Sequence, residues 1–472
     1  MAVEKYVASI IEERLGMEPT RGQRELFEQL GDFLSSPPDS FPVLIVRGYA
    51  GTGKTTAISA FIKVLKEFRY KHILLAPTGR AAKVLSNYSG IGAKTIHKQI
   101  YRQKSLADKE AKFRLDFNKS RDTVYIVDEA SLISIGTGME STIFGSGDLL
   151  EDLISYVKQN SGNKLILMGD SAQLPPIGLE ESPALDYDYV SQFSDVKMVT
   201  LTDVVRQAGE SGILYNATKL REIIEGGEPQ EPRFVCDGFD DFKKISGGEL
   251  IEELDGAISK YGLDEVVVLC RSNLRANKYN LGIRQTVLFM EEQLTRGDKL
   301  MIVKNCYQFL ENIPQLDFIA NGDVAELVRI GNYQERYGLH FAQATLKFPD
   351  YDDVEVDAKI ILDTLHSVSP ALDREQQRAL FEGVYADYEH ITARKKRMEA
   401  VREDKYYNAL QIKYATAITG HKSQGGQWKC VFVDNCLWKD DISMDDLKWL
   451  YTAITRGVEK VYLVNFKEKY FE

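Results

Sequence analysis

Residues 48–56 read Gly-Tyr-Ala-Gly-Thr-Gly-Lys-Thr-Thr and satisfy G-x-x-x-x-G-K-[ST] at every fixed position. Such a loop functions only between a buried strand and a helix, and both flanks comply. Val43 to Val46 is an apolar run, and Thr55 to Phe68 carries Ile58, Phe61, Ile62 and Leu65 at helical spacing. The pattern therefore commits this part of the chain to an α/β layout. Glycines at Gly48, Gly51 and Gly53, interleaved with Ala50 and Thr52, let successive backbone N–H groups turn toward one anion, and the helix start at Lys54, Thr55 and Thr56 adds its positive dipole end. In this geometry Lys54 reaches the β- and γ-phosphates of a nucleotide, and the Thr55 hydroxyl is placed to ligate Mg²⁺.

Three further apolar runs end in polar residues, as strands of a parallel sheet do at their ligand-binding edge. His72 to Ala76 runs into Pro77-Thr78-Gly79-Arg80, and Thr123 to Val127 ends at Asp128-Glu129. Leu165 to Met168 ends at Gly169-Asp170-Ser171-Ala172-Gln173-Leu174-Pro175-Pro176. Following a phosphate loop, Asp128 is the residue to hold Mg²⁺ and Glu129 the one to take a proton from an attacking water. Gln173 fits two readings, a neutral sensor of a γ-phosphate or an ordinary loop amide. Lys197 to Leu201 continues the sheet, and Arg206 closes this half.

Gly226-Gly227 followed by Glu-Pro-Gln-Glu-Pro is the clearest linker. A second α/β half begins at Glu265 to Cys270 and resumes at Tyr414 to Gly426, Cys430 to Val433, the helix Leu447 to Arg456 and Val461 to Val464. Two stretches break the rhythm. Residues 102–121 carry seven Lys/Arg against three acids, and this small basic insertion reads equally as a solvated linker or a nucleic-acid contact. Residues 324–366 alternate as β, and 370–403 look helical, with Arg394-Lys395-Lys396-Arg397 read as a solvated face. A net charge of −11 excludes a generally basic nucleic-acid coat, so any such contact must be local. Five cysteines without a C-x-x-C pair give no zinc site and no disulfide framework, and no apolar run reaches membrane-spanning length; a cytoplasmic protein is expected.

Taken in order, these motifs resemble those of superfamily 1 helicases, in particular the 5′→3′ branch of RecD- and Dda-like enzymes. The resemblance spans nearly the whole chain. It implies two RecA-like P-loop domains with ATP and Mg²⁺ between them, 1–228 as the first and 229–323 with 411–472 as the second. It also implies a strand-separating subdomain at about 98–122 and an SH3-like β insertion with a helical annex at 324–410. Gln23 stands where that family reads adenine, and Arg206 in Val205-Arg206-Gln207 and Arg456 in Tyr451 to Gly457 match its two cleft arginines. Single-stranded DNA would be held by Pro77, Thr78, Thr95, His97, His421, Lys422 and Gln424, with Tyr88 and Tyr101 as candidate stacking rings. Glu129, Gln173 and both arginines would complete the catalytic set with Lys54. The resemblance further implies duplex junctions as substrate, a monomer, and replication, repair or recombination proteins as partners. The rival readings are an RNA or DNA translocase without strand separation, a nucleotide-gated binding protein, and a small P-loop phosphotransferase.

Overall fold

The computed structural model describes residues 3–103, 113–136, 145–204, 211–310, 313, 316, 318–439 and 441–472. In the first half, β1 (Pro42–Gly48), β2 (Lys71–Ala76), β3 (Lys94–Thr95), β4 (Tyr101–Gln103), β5 (Phe113–Leu115), β6 (Thr123–Val127), β7 (Lys164–Gly169) and β8 (Asp195–Leu201) follow one another. Among the described residues, six of them form a parallel sheet in the order β3-β2-β6-β7-β1-β8. The sheet is covered on both faces, which is why its central strands β1, β6 and β7 are continuously buried rather than alternating. Leu44 and Val46 face a core built with Leu26, Phe27 and Leu30 of helix Arg21–Ser35 and Ile58, Phe61 and Leu65 of helix Lys54–Glu67. Val43 and Ile45 face the opposite core, with Leu153 and Ile154 of helix Leu149–Lys158. β1 lies between β7 and β8, whereas β2, next in sequence, lies beyond both β7 and β6. That reversal of winding opens a crevice at the C-terminal end of β1, where the phosphate loop begins.

In the second half come β9 (Phe242–Ile245), β10 (Val266–Cys270), β11 (Lys299–Ile302), β12 (Val324–Arg336), β13 (Leu339–Phe348), β14 (Val354–Ile361), β15 (Leu410–Tyr414), β16 (Ala417–Thr419), β17 (Trp428–Asp434) and β18 (Gly457–Val464). A second parallel sheet has the order β16-β10-β17-β18-β9, so the molecule contains two RecA-like domains.

Between β10 and β16 the chain builds a closed barrel from β11 to β15. This corrects the expected bounds of the β insertion, 324–410. The barrel begins at Lys299 and ends at Tyr414, because Lys299–Ile302 and Leu410–Tyr414 pair with each other in antiparallel register, Leu300 opposite Tyr414. Lys299–Ile302 is a short buried run that fits a parallel sheet or a barrel wall equally, and Leu410–Tyr414 alternates Leu410, Ile412 and Tyr414 with Gln411 and Lys413. The helical annex lies between β14 and β15 as helices Arg374–Asp387 and Arg394–Glu403, with Leu380, Val384 and Val401 packed against Phe341 and Ile361. Arg397 of the basic tetrapeptide lies over the Tyr385 ring at 3.7 Å and donates to its carbonyl, a structural use.

The basic insertion appears as the antiparallel hairpin of β4 and β5, with Arg102 paired to Asp116 at 3.1 Å. Its tip, with Lys104, Lys109 and Lys112, lies outside the described residues, as does Arg206.

Candidate functional site

The phosphate loop leaves β1 with Gly51 and Gly53 at φ +77° and +74°, a conformation that disfavours a Cβ. At Gly48 the constraint is space, since a Cβ would sit 2.6 Å from Lys54 Cγ. Lys54 folds over the loop and donates to the Gly48 and Tyr49 carbonyls. Gln23 joins two elements. Its Oε1 accepts from Thr20 N (3.1 Å) in a capping box, and its Nε2 donates to Thr52 O (3.3 Å), which ties the helix start to the phosphate loop.

Asp128 and Glu129 follow β6 beside this loop. Burial, reinforced by the neighbouring Glu129 carboxylate, raises Asp128 to about 6, with Lys54 acting in the opposite sense. Glu129 is held at φ +52°, uncommon for a residue with a side chain and of the kind found at functional sites. Gln173 is buried, and among the described residues its Oε1 has no hydrogen-bond partner. An orphaned amide oxygen and a buried carboxylate shifted upward, both beside a phosphate loop, form a donor set that fits a nucleotide with its divalent cation.

The second domain closes the site from the other side through helix Met444–Ile454 and the residues just after it. The buried Arg456 guanidinium lies 4.0 Å from Glu129 Oε1 and is fixed by Thr452 O, Gly426 O and Thr455 Oγ1. Tyr451 donates to Asp170 Oδ2 (2.7 Å) and accepts from Ala50 N of the phosphate loop (2.8 Å). Thr452 Oγ1 accepts from Leu174 N (2.8 Å), and Gln424 Nε2 donates to Leu174 O (2.6 Å). The stretch from Asp170 to Pro176 is thus part of the first domain by chain and is clamped by the second through hydrogen bonds.

A groove of about 780 Å³ runs between both domains and the barrel, and all seven residues expected to hold a strand line it: Pro77, Thr78, Thr95, His97, His421, Lys422 and Gln424. Thr78 and Thr95 cap helices Gly79–Ser89 and Ile96–Ile100 through their oxygens, which keeps each O–H proton available to a further acceptor. Gln424 is turned to Leu174 instead, so it secures the groove wall. His97 packs against the rings of Tyr101 and Phe318, and desolvation lowers it to about 4; at neutral pH it is an uncharged ring and not a cationic phosphate contact. Tyr101 is corrected outright as a stacking ring, since it is buried with its hydroxyl on Asp152 (2.7 Å). Tyr88 is exposed, but its hydroxyl donates to Gln427 Oε1 (2.9 Å) across the domain boundary.

Sequence reasoning missed the barrel side of this groove. Tyr351 rests on Gly79 so closely that any Cβ there would collide with its hydroxyl, and that hydroxyl donates to Asp323 (3.0 Å). Lys83 donates to the Pro349 carbonyl. Asp323, with Asn321 and Gly322, had only a turn signature, and nothing local ties Tyr351 to a residue more than 250 positions earlier. Tyr451 and Thr452 were passed over likewise; their one signal is that polar groups at buried helix positions need partners.

Fold and site together define a P-loop nucleotide-binding protein of two RecA-like domains with a cleft between them. Residues 20–223 match the AAA domain family, and residues 414–464 match the UvrD-like helicase C-terminal domain family. The two matches lie on one chain in this order, the first within the first RecA-like domain and the second within the other, and a RecD-type helicase is among the similar proteins. It is 24% identical over 470 residues to an uncharacterized protein of Methanocaldococcus jannaschii, covering 89% of this chain and 36% of that one. It is 27% identical over 238 residues to the ATP-dependent RecD2 DNA helicase of Deinococcus radiodurans, covering 47% of this chain and 29% of that one. The chain thus spans about a third of the length of these two relatives. A Pif1 helicase from Bacteroides, solved with ADP-AlF3 and single-stranded DNA, is similar with a TM-score of 0.47 at 13% identity, over 95% of this chain and 93% of that one.

Proposed function

We propose that the protein is an ATP-dependent DNA helicase that moves 5′→3′ along single-stranded DNA and parts the duplex ahead. The observation that carries this reading is the contact of Arg456, from the second domain, with Glu129, from the first, beside a phosphate loop and beneath a groove lined by both. An arginine so placed can stabilise charge developing on a transferred phosphoryl group only when the domains are closed, which links hydrolysis to domain motion. The 5′→3′ sense rests on the RecD-like kinship.

In this reading Lys54 draws charge from the β- and γ-phosphates, Glu129 accepts a proton from the attacking water, and Gln173 holds that water or the γ-phosphate through its amide. A Mg²⁺ ion, held by the Thr55 hydroxyl and Asp128, would neutralise part of the phosphate charge. Arg456, with Arg206, draws the second domain in, and the Asp170 to Pro176 segment carries the change to the groove. Thr78, Thr95, His421 and Lys422 hold the strand by its phosphates, so sequence preference is slight. The barrel takes the SH3-like part and the β4–β5 hairpin the strand-separating part.

The test is ATP turnover with and without single-stranded DNA, followed by unwinding of duplexes with a 5′ or a 3′ tail. DNA-stimulated turnover with unwinding from the 5′ tail alone is expected; turnover indifferent to any nucleic acid overturns the reading. Lys54→Ala should abolish turnover and leave single-strand binding nearly intact.

A further inference from the structure

Gln23 is 1% exposed, and its amide is bound to the protein at both ends. Oε1 accepts from Thr20 N (3.1 Å), and Nε2 donates to Thr52 O (3.3 Å). An amide that reads adenine turns an acceptor to the amino group of the base and a donor to the adjacent ring nitrogen. A side chain closed off at both atoms presents neither. The backbone beside it is occupied as well, since Gln23 N donates to Thr20 Oγ1 (3.2 Å) and Gly22 N to Asp203 Oδ2 (3.2 Å).

The Nε2 end of that amide acts on the phosphate loop. Thr52 lies between Gly51 and Gly53, both at positive φ, and its Oγ1 and N–H both donate to Tyr49 O (2.8 and 3.3 Å). A glycine on the far side leaves the peptide plane between Thr52 and Gly53 free to turn, so the bond to Gln23 sets the direction of the Thr52 carbonyl. A trans peptide is planar. Fixing its carbonyl on one side therefore sends the Gly53 N–H to the other, and that N–H belongs to the loop's row of anion-facing donors.

We propose that Gln23 is a positioning residue that holds the peptide between Thr52 and Gly53 so that the Gly53 N–H meets the phosphates, and that the site takes nucleoside triphosphates without reading the base. This rests on the nucleotide-binding part of the reading above. Strong discrimination between substrates needs buried polar groups that the wrong one leaves unpaired. The hydrogen bonds of Gln23 are complete within the protein, so a guanine or a pyrimidine forfeits nothing there. Recognition then falls to the triphosphate, which every nucleotide shares.

The experiment assays the full chain with Mg²⁺ and ATP, GTP, CTP or UTP, and titrates inorganic tripolyphosphate as a base-free competitor. The four values of kcat/KM should agree within about tenfold. Gln23→Met keeps the volume and removes both bonds. It should lower kcat/KM about tenfold for every nucleotide alike and weaken tripolyphosphate inhibition by the same factor. Thr20→Ala removes the helix cap but leaves the bond from Gln23 to Thr52, so it should not change tripolyphosphate inhibition. An ATP preference above about tenfold overturns the proposal, and this comparison uses the unmodified protein, so it decides even where a variant fails to fold. Tripolyphosphate inhibition that Gln23→Met leaves unchanged, or that Thr20→Ala weakens equally, also overturns it. Turnover of no nucleotide, with tripolyphosphate failing to bind, would instead defeat the phosphate-loop reading on which it rests.

Discussion

His97 and Lys422 face the same groove and differ in charge. Desolvation holds the His97 ring neutral down to about 4, while Lys422 is an amine that donates to Asn321 at the groove edge. Neutralising one strand phosphate contributes a slope of about 0.7 in log K against log salt. Lys422→Met should therefore flatten the salt dependence of oligonucleotide binding by about that amount, and His97→Asn should leave it unchanged. The same ring has a stability consequence. Unfolded, a histidine titrates near 6.5, about the reference value, so from there down toward 4 the unfolded chain binds a proton that the folded chain refuses. Stability due to this residue is intact above that window and declines as pH falls through it. His97→Asn should make thermal melting less acid-sensitive between those limits.

Among elements, helix Met444–Ile454 joins the two domains. Tyr451→Phe removes the hydroxyl shared by Asp170 and Ala50 N and leaves a buried carboxylate oxygen without its donor, a loss of about 1–3 kcal/mol. DNA-stimulated turnover should drop roughly tenfold or more, in steady-state assays where nucleotide affinity changes less. This partnership shows where sequence reading stops. The phosphate loop, Asp128-Glu129 and the parallel strands were legible because each is a local pattern: glycine spacing, a polar exit, an apolar run buried on both faces. Tyr451 and Asp170 lie 281 residues apart, and no periodicity links them. The barrel bounds failed for a related reason, since the partner of Leu300 is Tyr414 and only pairing, not composition, distinguishes a barrel wall from a central strand.

Taken as a whole, the molecule is acidic, and the groove proposed to hold the strand is closed over by the barrel where Tyr351 meets Gly79. Gly79→Val and Tyr351→Ala disturb that one contact from opposite sides, so each should speed release of a labelled oligonucleotide several-fold. The double variant should be no faster than the worse single one, as for residues sharing a single interaction; stopped-flow dissociation measures it, and simple additivity would mean that the contact is not the roof's fastening.

The barrel leaves and rejoins the motor through β11 and β15, which are hydrogen-bonded to each other, and only Ala415 and Thr416 separate β15 from β16. β16 in turn runs straight into Gly420, His421 and Lys422. On the proposed helicase reading, a duplex pressed against the barrel would pull on a two-stranded stem whose far end carries His421 and Lys422. Force on the inserted body would then reach His421 and Lys422 before it reached the contact of Arg456 with Glu129.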